Sequence, residues 1–511
     1  MALNDIKFIK GQGGLGRPLE GEDFISGLLF YSASLPSGFT TTTRIQQVFS
    51  LADAENLGIV KTYSDETKAT GTVTIGVIGS DGNTIQILVA EPKVGGGTTS
   101  VDLGTFTKTA AETTVTLLAA AMVLTINNGT STHGYTATNL AGVITITARP
   151  GIGVGLNTGT PLSVNTTGSL AASVTAQFTG GVGSKLAVMH YHVSEYFRIQ
   201  PQGNLFIGIY TVPSPYVFTE ISLMQTFAKG KIRQIGVYKD SAAFTTADIT
   251  AIDIVNKALG ELHMPLSALY AADMVSVTNL ATLTDLGLLT ANTVSAVIAQ
   301  DGRAEGAALF IAYGKSITNL GATLGAVSLA AVNESIAWVA KFNMSNGTEL
   351  DTIAFANGQL YSALSSNLIS QLNTYRYIFL RVFVGRAGSY YNDNHTSIAI
   401  SSDYAYINDN RVIDKAIREV YASTLPNLNG SLLLNANGTL TDVQAAAIEV
   451  DANVGLGNMQ NNQELSDYST VIDQTTSVQT TSKVFITISI IGVGVGRNYE
   501  VKIGYTTSLT A

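Results

Sequence analysis

Apolar and polar positions follow two different periods along this 511-residue chain. Near its start, residues 24–32 are apolar throughout, which predicts a strand that is buried on both faces. From about residue 185 onward, strand-like runs take turns with runs of helical spacing; a strand at 205–210, for example, precedes a helix over 216–229. This alternation predicts an α/β layer architecture with several domains.

The same two periods predict the remaining elements of this region. Further strands are expected at residues 232–238, 267–271, 293–299 and 377–384. Further helices are expected at residues 246–262, 368–375 and 403–423, and from residue 441 onward.

A stretch rich in Thr, Gly, Val and Ala interrupts this pattern. Residues 70–183 carry few charges, with strand signals at 72–78, 84–90, 143–148 and 174–178 and a helix at 113–124. Polar and glycine-rich linkers bracket it, as expected of an inserted domain. We therefore predict five segments: 1–63 (N-terminal arm and start of the core), 64–184 (inserted β-rich outer domain), 185–400 (central α/β domain), 401–482 (C-terminal domain) and 483–511 (β-hairpin arm).

Both ends of the chain carry strand patterns that lack an obvious sheet of their own. A strand over residues 5–10 would present Ile6 and Phe8. Two C-terminal strands would each present one apolar face: Val484, Ile486, Ile488 and Ile490 on the first, and Tyr499, Val501, Ile503 and Tyr505 on the second. An isolated hairpin is marginal in water and leaves its edges unpaired, so we predict that both ends add strands to sheets in other copies of the chain.

Composition excludes several classes of function. Only 13% of residues are charged and the net charge is −9, so the chain has no basic footprint for direct binding of nucleic acid or anionic membrane. The absence of cysteine excludes disulfides, thiol nucleophiles and thiolate metal sites. The apolar runs are shorter than the about 20 residues of a membrane span, and the first residues do not resemble a signal peptide. We therefore expect no membrane insertion, and assembly in a bacterial host cytoplasm.

Residues 11–16 spell G-x-G-x-x-G after a strand-like segment, which is the spacing of a dinucleotide fingerprint. The following residues 17–21 have no helical period, so no helix N-terminus would meet a pyrophosphate. The motif instead favours glycines that let an arm change its angle. Residues 474–482, which are polar and rich in Gln and Thr, predict a second flexible linker before the C-terminal strands.

Two histidines form the only pattern that suggests a metal site. On a strand over residues 189–193, His190 and His192 would share one face, and Glu195 could be a third ligand. No further ligand completes the set, and the pattern favours surface or interface histidines. No nucleophile or acid–base pair is marked by its surroundings, so we expect no enzyme and no cofactor.

A basic ridge is predicted on the helix at residues 403–423. Arg411, Lys415 and Arg418 fall at helical spacing on one face, next to a buried apolar stripe. A solvated face with local ion pairs is one interpretation. Docking on an acidic partner is the other.

Three stretches, in this order, resemble contractile phage tail sheath proteins, especially a sheath-like family of Bacteroidetes phages. They are GRPLEGEDFISGLLF at residues 16–30, the Asp-Tyr and Arg-Val-Ile-Asp-Lys-Ala run within residues 403–418, and Gln-Glu-Leu-Ser at residues 463–466. The resemblance covers most of the chain outside residues 70–183, which are more weakly similar to small β domains inserted in many tail proteins.

The resemblance implies a structural subunit that forms hexameric rings, stacked in a helical lattice around an inner tail tube protein. Terminal arms would link neighbouring subunits while the lattice contracts and drives the tube through the host envelope. A baseplate and a tail terminator would be further partners, and the protein would reside in the virion tail. In related sheaths an inward helix contacts the tube through charge, which places Arg411, Lys415 and Arg418 there.

Two other functions remain open at this point. A tube-like tail subunit would share the low charge and the β-rich ends, although tube proteins are usually shorter and lack the repeated α/β core. An extracellular adhesin could use the Thr-rich domain, but it would require export.

Overall fold

The computed structural model describes residues 23–505, and it confirms the predicted mixed α/β fold class. The described residues form two compact units: 23–329 with 336–407, and 330–335 with 408–505. The predicted strand at residues 5–10, with Ile6 and Phe8, and the glycine motif at 11–16 lie outside the described residues. Within residues 23–505, no helix has the length and apolarity needed to cross a membrane.

The first unit begins with core elements and continues into the Thr-rich stretch. The core elements are β1 (Ile25–Tyr31), β2 (Ile45–Val48) and α1 (Leu51–Asn56). The Thr-rich stretch contains β3 (Thr70–Val77), β4 (Thr84–Pro92), β5 (Thr98–Thr107), α2 (Val115–Asn128), α3 (Thr130–His133), β6 (Thr136–Leu140), β7 (Val143–Thr147), β8 (Leu162–Thr166) and β9 (Ala171–Thr179).

The chain then returns to the core with alternating helices and strands. They are α4 (Lys185–Ile199), β10 (Asn204–Tyr210), α5 (Glu220–Phe227), β11 (Gln234–Ala243), α6 (Thr246–Glu261), β12 (Ser267–Asp273), β13 (Thr290–Ala291), β14 (Val294–Ala296), β15 (Ala299–Asp301), α7 (Glu305–Tyr313), α8 (Leu320–Leu329), β16 (Ile353–Phe355), α9 (Ser366–Thr374), β17 (Leu380–Phe383), β18 (Arg386–Tyr391) and β19 (Ser397–Ile398).

A six-stranded sheet in the order β14-β12-β11-β1-β10-β2 forms the centre of the first unit. Strand β1 is parallel to both neighbours, with Leu28 opposite Ile207 of β10 and Gly236 of β11. Every residue of β1 is buried, which confirms the prediction of a strand covered on both faces. Strand β2 closes one edge and runs antiparallel to β10.

The Thr-rich stretch folds into two antiparallel sheets that enclose their own apolar cluster. The sheets have the orders β6-β7-β3-β9 and β5-β4-β8, and α2 packs beside them. Thr114 caps α2 by accepting a hydrogen bond from the Leu117 N–H at 3.2 Å. The stretch is entered and left side by side, because Thr67 and Val182 form an antiparallel bridge. The predicted strands and helix are confirmed, and the domain boundaries remain a prediction.

The second unit is built from helices and a two-stranded sheet. Its elements are α10 (Ile407–Thr424), α11 (Asp442–Asn461), β20 (Leu465–Ile472), α12 (Val478–Thr481) and β21 (Ile486–Gly492). Helix α11 packs on β20, and antiparallel β21 completes the sheet. The polar stretch at residues 474–482, predicted to be a linker, contains the short helix α12.

Candidate intersubunit interface in the C-terminal unit

The sheet of the second unit is open on both sides. Strands β20 and β21 pair with each other from Ile472 opposite Ile486 to Leu465 opposite Gly492, with a register shift before Asp467. Among residues 23–505, neither strand pairs with a third one. Both outer edges therefore present backbone N–H and C=O groups that another strand can join.

The apolar face of β21 packs on its own unit. Ile488 and Ile490 lie against a cluster that contains Val412 and Leu456, and Val484 and Ile486 lie against a second cluster around Leu440. The prediction that Val484, Ile486, Ile488 and Ile490 pair with residues 499–505 in a free arm is therefore wrong. The reason is that β20, which the sequence pattern missed, supplies an antiparallel partner within the chain.

Two closely packed helices support this sheet. Thr441 begins α11 by accepting a hydrogen bond from the Gln444 N–H at 3.3 Å. Glycine at position 455 allows a close approach, since a Cβ there would lie 2.5 Å from the Cβ of Glu419 on α10. The two helices thus pack closely against each other and share an apolar cluster with both strands.

Two of the three side chains of the predicted basic ridge on α10 bind other groups of the same unit. The Arg411 side chain is buried and donates to the carbonyl oxygens of Ala330 and Ala331 at 3.1 and 3.2 Å. Lys415 pairs with the buried Glu464 carboxylate at 2.6 Å. The prediction that these two residues face a tube is therefore wrong for their side chains, because Arg411 binds residues 330 and 331 and Lys415 binds Glu464, which directly precedes β20. Arg418 is partly exposed.

The residues after β21 behave differently from β21 itself. Residues 493–505 contain no helix or strand, although residues 499–505 have the alternation of a strand. The apolar side chains of residues 499–505 are exposed by at least 73% of their surface: Tyr499, Val501, Ile503 and Tyr505. Such a segment carries strand-forming side chains without a sheet to cover them.

The histidine pattern does not form a metal site. Residues 189–193 lie in helix α4, so His190 and His192 point to different sides of it. His190 Nε2 lies 2.9 Å from a carboxylate oxygen of Glu55, while Glu195 binds Arg198 at 2.6 Å. Within the described part of the chain, no three His, Asp or Glu side chains gather in a way that could hold a metal ion. The prediction of a strand is wrong. Helix α4 is buried on most sides, so its sequence shows no clear helical period of apolar residues.

His192 is instead a core residue. It is fully buried between aromatic rings, 4.4 Å from Tyr238 and 6.0 Å from Phe30 by ring centroids. Burial away from water, with a smaller contribution from the positive charge of Lys185, lowers the pKa of His192 to about 3. The imidazole is therefore neutral at physiological pH.

A polar cluster that sequence reasoning missed lies where β11 ends. In open parallel sheets, ligands bind beyond the carboxyl ends of the strands, where the strand order reverses. Here the carboxylate of Asp240 accepts from Lys185 and, at 2.8 Å, from the Tyr313 hydroxyl, and Asp248 accepts from Lys239 and Tyr270. These groups satisfy one another, as expected of structural ion pairs in a core. No sequence spacing connects them, because they come from five elements.

Family models match most of the chain. The family models for the N-terminal and C-terminal domains of DUF2586 match residues 3–395 and 403–510. No curated protein sequence is significantly similar to the chain.

Several of the similar solved structures are sheath proteins. The helical sheath of the anti-feeding prophage in its contracted state is 14% identical, with a TM-score of 0.42, and the match covers 62% of this chain and 81% of that one. The contracted PVC sheath complex of an extracellular contractile injection system is 11% identical, with a TM-score of 0.40 and coverages of 62% and 80%. The sheath tail protein of Desulfitobacterium hafniense is 11% identical, with a TM-score of 0.35 and coverages of 95% and 100%.

Proposed function

This chain belongs to the DUF2586 family, and on that premise we propose that it is the structural subunit of a contractile tail sheath. It polymerises as stacked rings around an inner tube protein and contracts to drive the tube through the host envelope. Its further partners are a baseplate and a tail terminator, and it resides in the virion tail. The resemblance of residues 16–30, 403–418 and 463–466 to sheath proteins supports this class.

The observation that carries the proposal is that the second unit contains both open sheet edges and a strand-like segment that pairs with neither of them. The β20–β21 sheet has two open edges, and residues 499–505 have a strand pattern without a strand partner in the described chain. An open edge and an unpaired strand are complementary, since main-chain hydrogen bonds join them with little demand on side chains. Residues 499–505 of one copy therefore extend the sheet of another copy and link the subunits.

Subunit links of this kind suit a contracting lattice. A strand that is hydrogen-bonded to a neighbour keeps the copies connected while other surfaces slide, and the energy of contraction comes from exchanging one set of contacts for another. The sheath subunit itself performs no catalysis. The predicted N-terminal strand, with Ile6 and Phe8, would occupy the remaining edge in the same way.

A truncation after residue 494 tests the proposal. It removes the tail but keeps β21, whereas a cut before residue 484 would also remove side chains that fill the apolar clusters. We expect the shortened chain to remain folded by circular dichroism and to lose polymerisation in sedimentation and electron microscopy. Normal tubes from this truncated chain would contradict the proposal.

Two double variants test whether one face of the tail strand is covered in the polymer and the other is not. On a strand, Val501 and Ile503 share one face and Glu500 and Lys502 the other. We expect Val501→Asp with Ile503→Asp to prevent polymerisation, because charges would enter a covered face. The matched control, Glu500→Ala with Lys502→Ala, should polymerise like the parent chain. Equal behaviour of the two variants would argue against a one-sided strand.

A further inference from the structure

A projecting hairpin in the first unit carries an unusual combination of side chains. Strands β17 and β18 are joined by the two-residue turn Val384–Gly385, with Gly385 at a φ of 77°. Turns of this kind normally carry Gly, Asn or Asp. Here Val384 is fully exposed, and Val382 beside it is 48% exposed. Two valines in water at the tip of a hairpin indicate a surface that is covered in an assembly.

The only tryptophan of the chain lies next to this hairpin. Trp338 is 52% exposed. The segment after it runs along β18, since Val339 O accepts from Arg386 Nη2 at 3.1 Å and the Met344 N–H donates to Ser389 O at 2.9 Å. We call this surface the hairpin knob. It comprises Trp338, Arg381, Val382, Val384 and Arg386.

The hairpin knob is positively charged in an acidic protein. From Leu380 to Tyr391 the hairpin contains two arginines and no acidic residue, while the chain carries a net charge of −9. Arg381 lies over the Phe383 ring at 4.5 Å, and Arg386 donates to the Tyr390 hydroxyl at 3.0 Å. Neither arginine forms an ion pair with the described residues. Tryptophan and arginine around an apolar centre are typical of binding hot spots.

Helix α11 presents a complementary surface. Its exposed side forms an apolar stripe, which we call the α11 stripe: Val443, Ala446, Ala447, Val450 and Val454. The three valines are exposed by 74%, 64% and 55%. Glu449 and Asp451 flank the stripe, and α11 contains no lysine or arginine. The helix thus combines uncovered apolar side chains with negative charge, the reverse of the hairpin knob.

We propose that the hairpin knob of one copy docks on the α11 stripe of a second copy. The inference rests on the proposed self-assembly, but it concerns a side-chain contact that is separate from the exchanged strand. Val382, Val384 and Trp338 cover the valines of the stripe, and Arg381 and Arg386 meet Glu449 and Asp451. Because two different surfaces meet, the contact is heterologous and repeats from copy to copy, as a ring or a helical lattice requires.

Cross-linking tests the contact directly, since the chain contains no native cysteine. Val384→Cys and Val450→Cys are prepared as separate full-length variants, mixed, and treated with a short bismaleimide. We expect a covalent heterodimer, which can only form between copies. The matched control pairs Val384→Cys with Leu140→Cys, whose position is 80% exposed and lies outside both surfaces. A dimer yield no higher than in this control overturns the proposal.

Charge reversal provides the second measurement. Arg381→Glu with Arg386→Glu should raise the concentration needed for polymerisation by about tenfold or more, because like charges then face each other. Adding Glu449→Lys and Asp451→Lys to the same chain should restore polymerisation. The control, Lys93→Glu with Arg303→Glu, changes the net charge equally at two exposed cations of the same unit and should have little effect. Absence of rescue would contradict the pairing of these charges.

Trp338 reports the same event without any substitution. Its fluorescence emission should move to shorter wavelengths when the parent chain polymerises, and the truncation after residue 494 should show whether strand exchange is needed for the shift. Tubes that form without cross-links, charge effects or an emission shift would refute the docking contact and leave the sheath function intact. A chain that neither polymerises nor cross-links would refute both.

Discussion

Replacing Gly455 by alanine is expected to destabilise the C-terminal unit, against the usual preference of helices. A Cβ at this position would lie 2.5 Å from the Cβ of Glu419 and 3.0 Å from its carbonyl carbon. The backbone of α10 cannot move aside as a flexible side chain would. Forcing an extra methyl group into packed structure costs about 1–3 kcal/mol, whereas alanine gains about 1 kcal/mol over glycine within a helix. The steric cost therefore prevails, with a net loss of up to about 2 kcal/mol.

Gly457, two residues further along the same helix, provides a matched control. A Cβ there would have the Tyr468 hydroxyl oxygen as its nearest neighbour, at 3.4 Å, which is an ordinary contact. Gly457→Ala should therefore gain the full helix preference of about 1 kcal/mol. The two variants have the same composition and differ only in what the new methyl group meets.

Hydrogen exchange at the amides of α10 and α11 is the appropriate assay, because it reports the stability of the second unit separately in a chain with two compact units. Gly455→Ala should speed exchange at these amides, and Gly457→Ala should slow it. If Gly455→Ala protected the helices as well as Gly457→Ala does, the close helix contact would be refuted.

Three further substitutions probe buried titratable side chains. Lys415→Met should destabilise the second unit by about 3–5 kcal/mol, because Glu464 is left buried without its cation; hydrogen exchange in β20 measures this, and Lys415→Met with Glu464→Gln should recover most of the loss. Burial raises the pKa of Glu349 from 4.5 to about 7, so this carboxyl makes the first unit lose stability as the pH rises through that window. Glu349→Gln should remove this dependence in urea unfolding followed by Trp338 emission. His192 has its pKa lowered from 6.5 to about 3, so it lowers stability as the pH falls through that range. His192→Leu should reduce the loss of unfolding free energy at acid pH, measured by the same urea unfolding at a series of pH values. An unchanged pH dependence would contradict the assignment of a buried neutral imidazole.

Sequence periodicity predicted those core elements whose faces are each clearly buried or clearly exposed. Strand β1 is buried along its whole length and almost wholly apolar, and it contacts helices α5 and α8, as expected of an inner strand in a covered parallel sheet. Helix α4 was missed for a related reason: ten of its fifteen residues are buried, so its polar side is too narrow to reveal a helical period. His190 and His192 therefore looked like neighbours on a strand, although they lie on different sides of a helix.

Strand β20 was missed because its own alternation is broken. The register shift between Leu465 and Asp467 places Ser466 and Asp467 side by side on the outside, and the apolar positions resume only at Tyr468. Without β20, the sequence assigned β21 to a hairpin with residues 499–505. The same omission left Lys415 on an apparently free ridge, since its partner Glu464 directly precedes β20.

The outcome for the two C-terminal strand patterns shows what periodicity does and does not specify. Residues 484–490 and 499–505 alternate equally well, yet the first set packs on its own unit and the second set is exposed. Alternation determines which side chains share a face, but the partner strand is supplied by whichever chain brings an open edge to it. Within one copy, β20 and β21 pair only with each other. The tail after residue 494 can satisfy its pattern only on an edge that remains open, and in a polymer each copy offers two such edges to its neighbours.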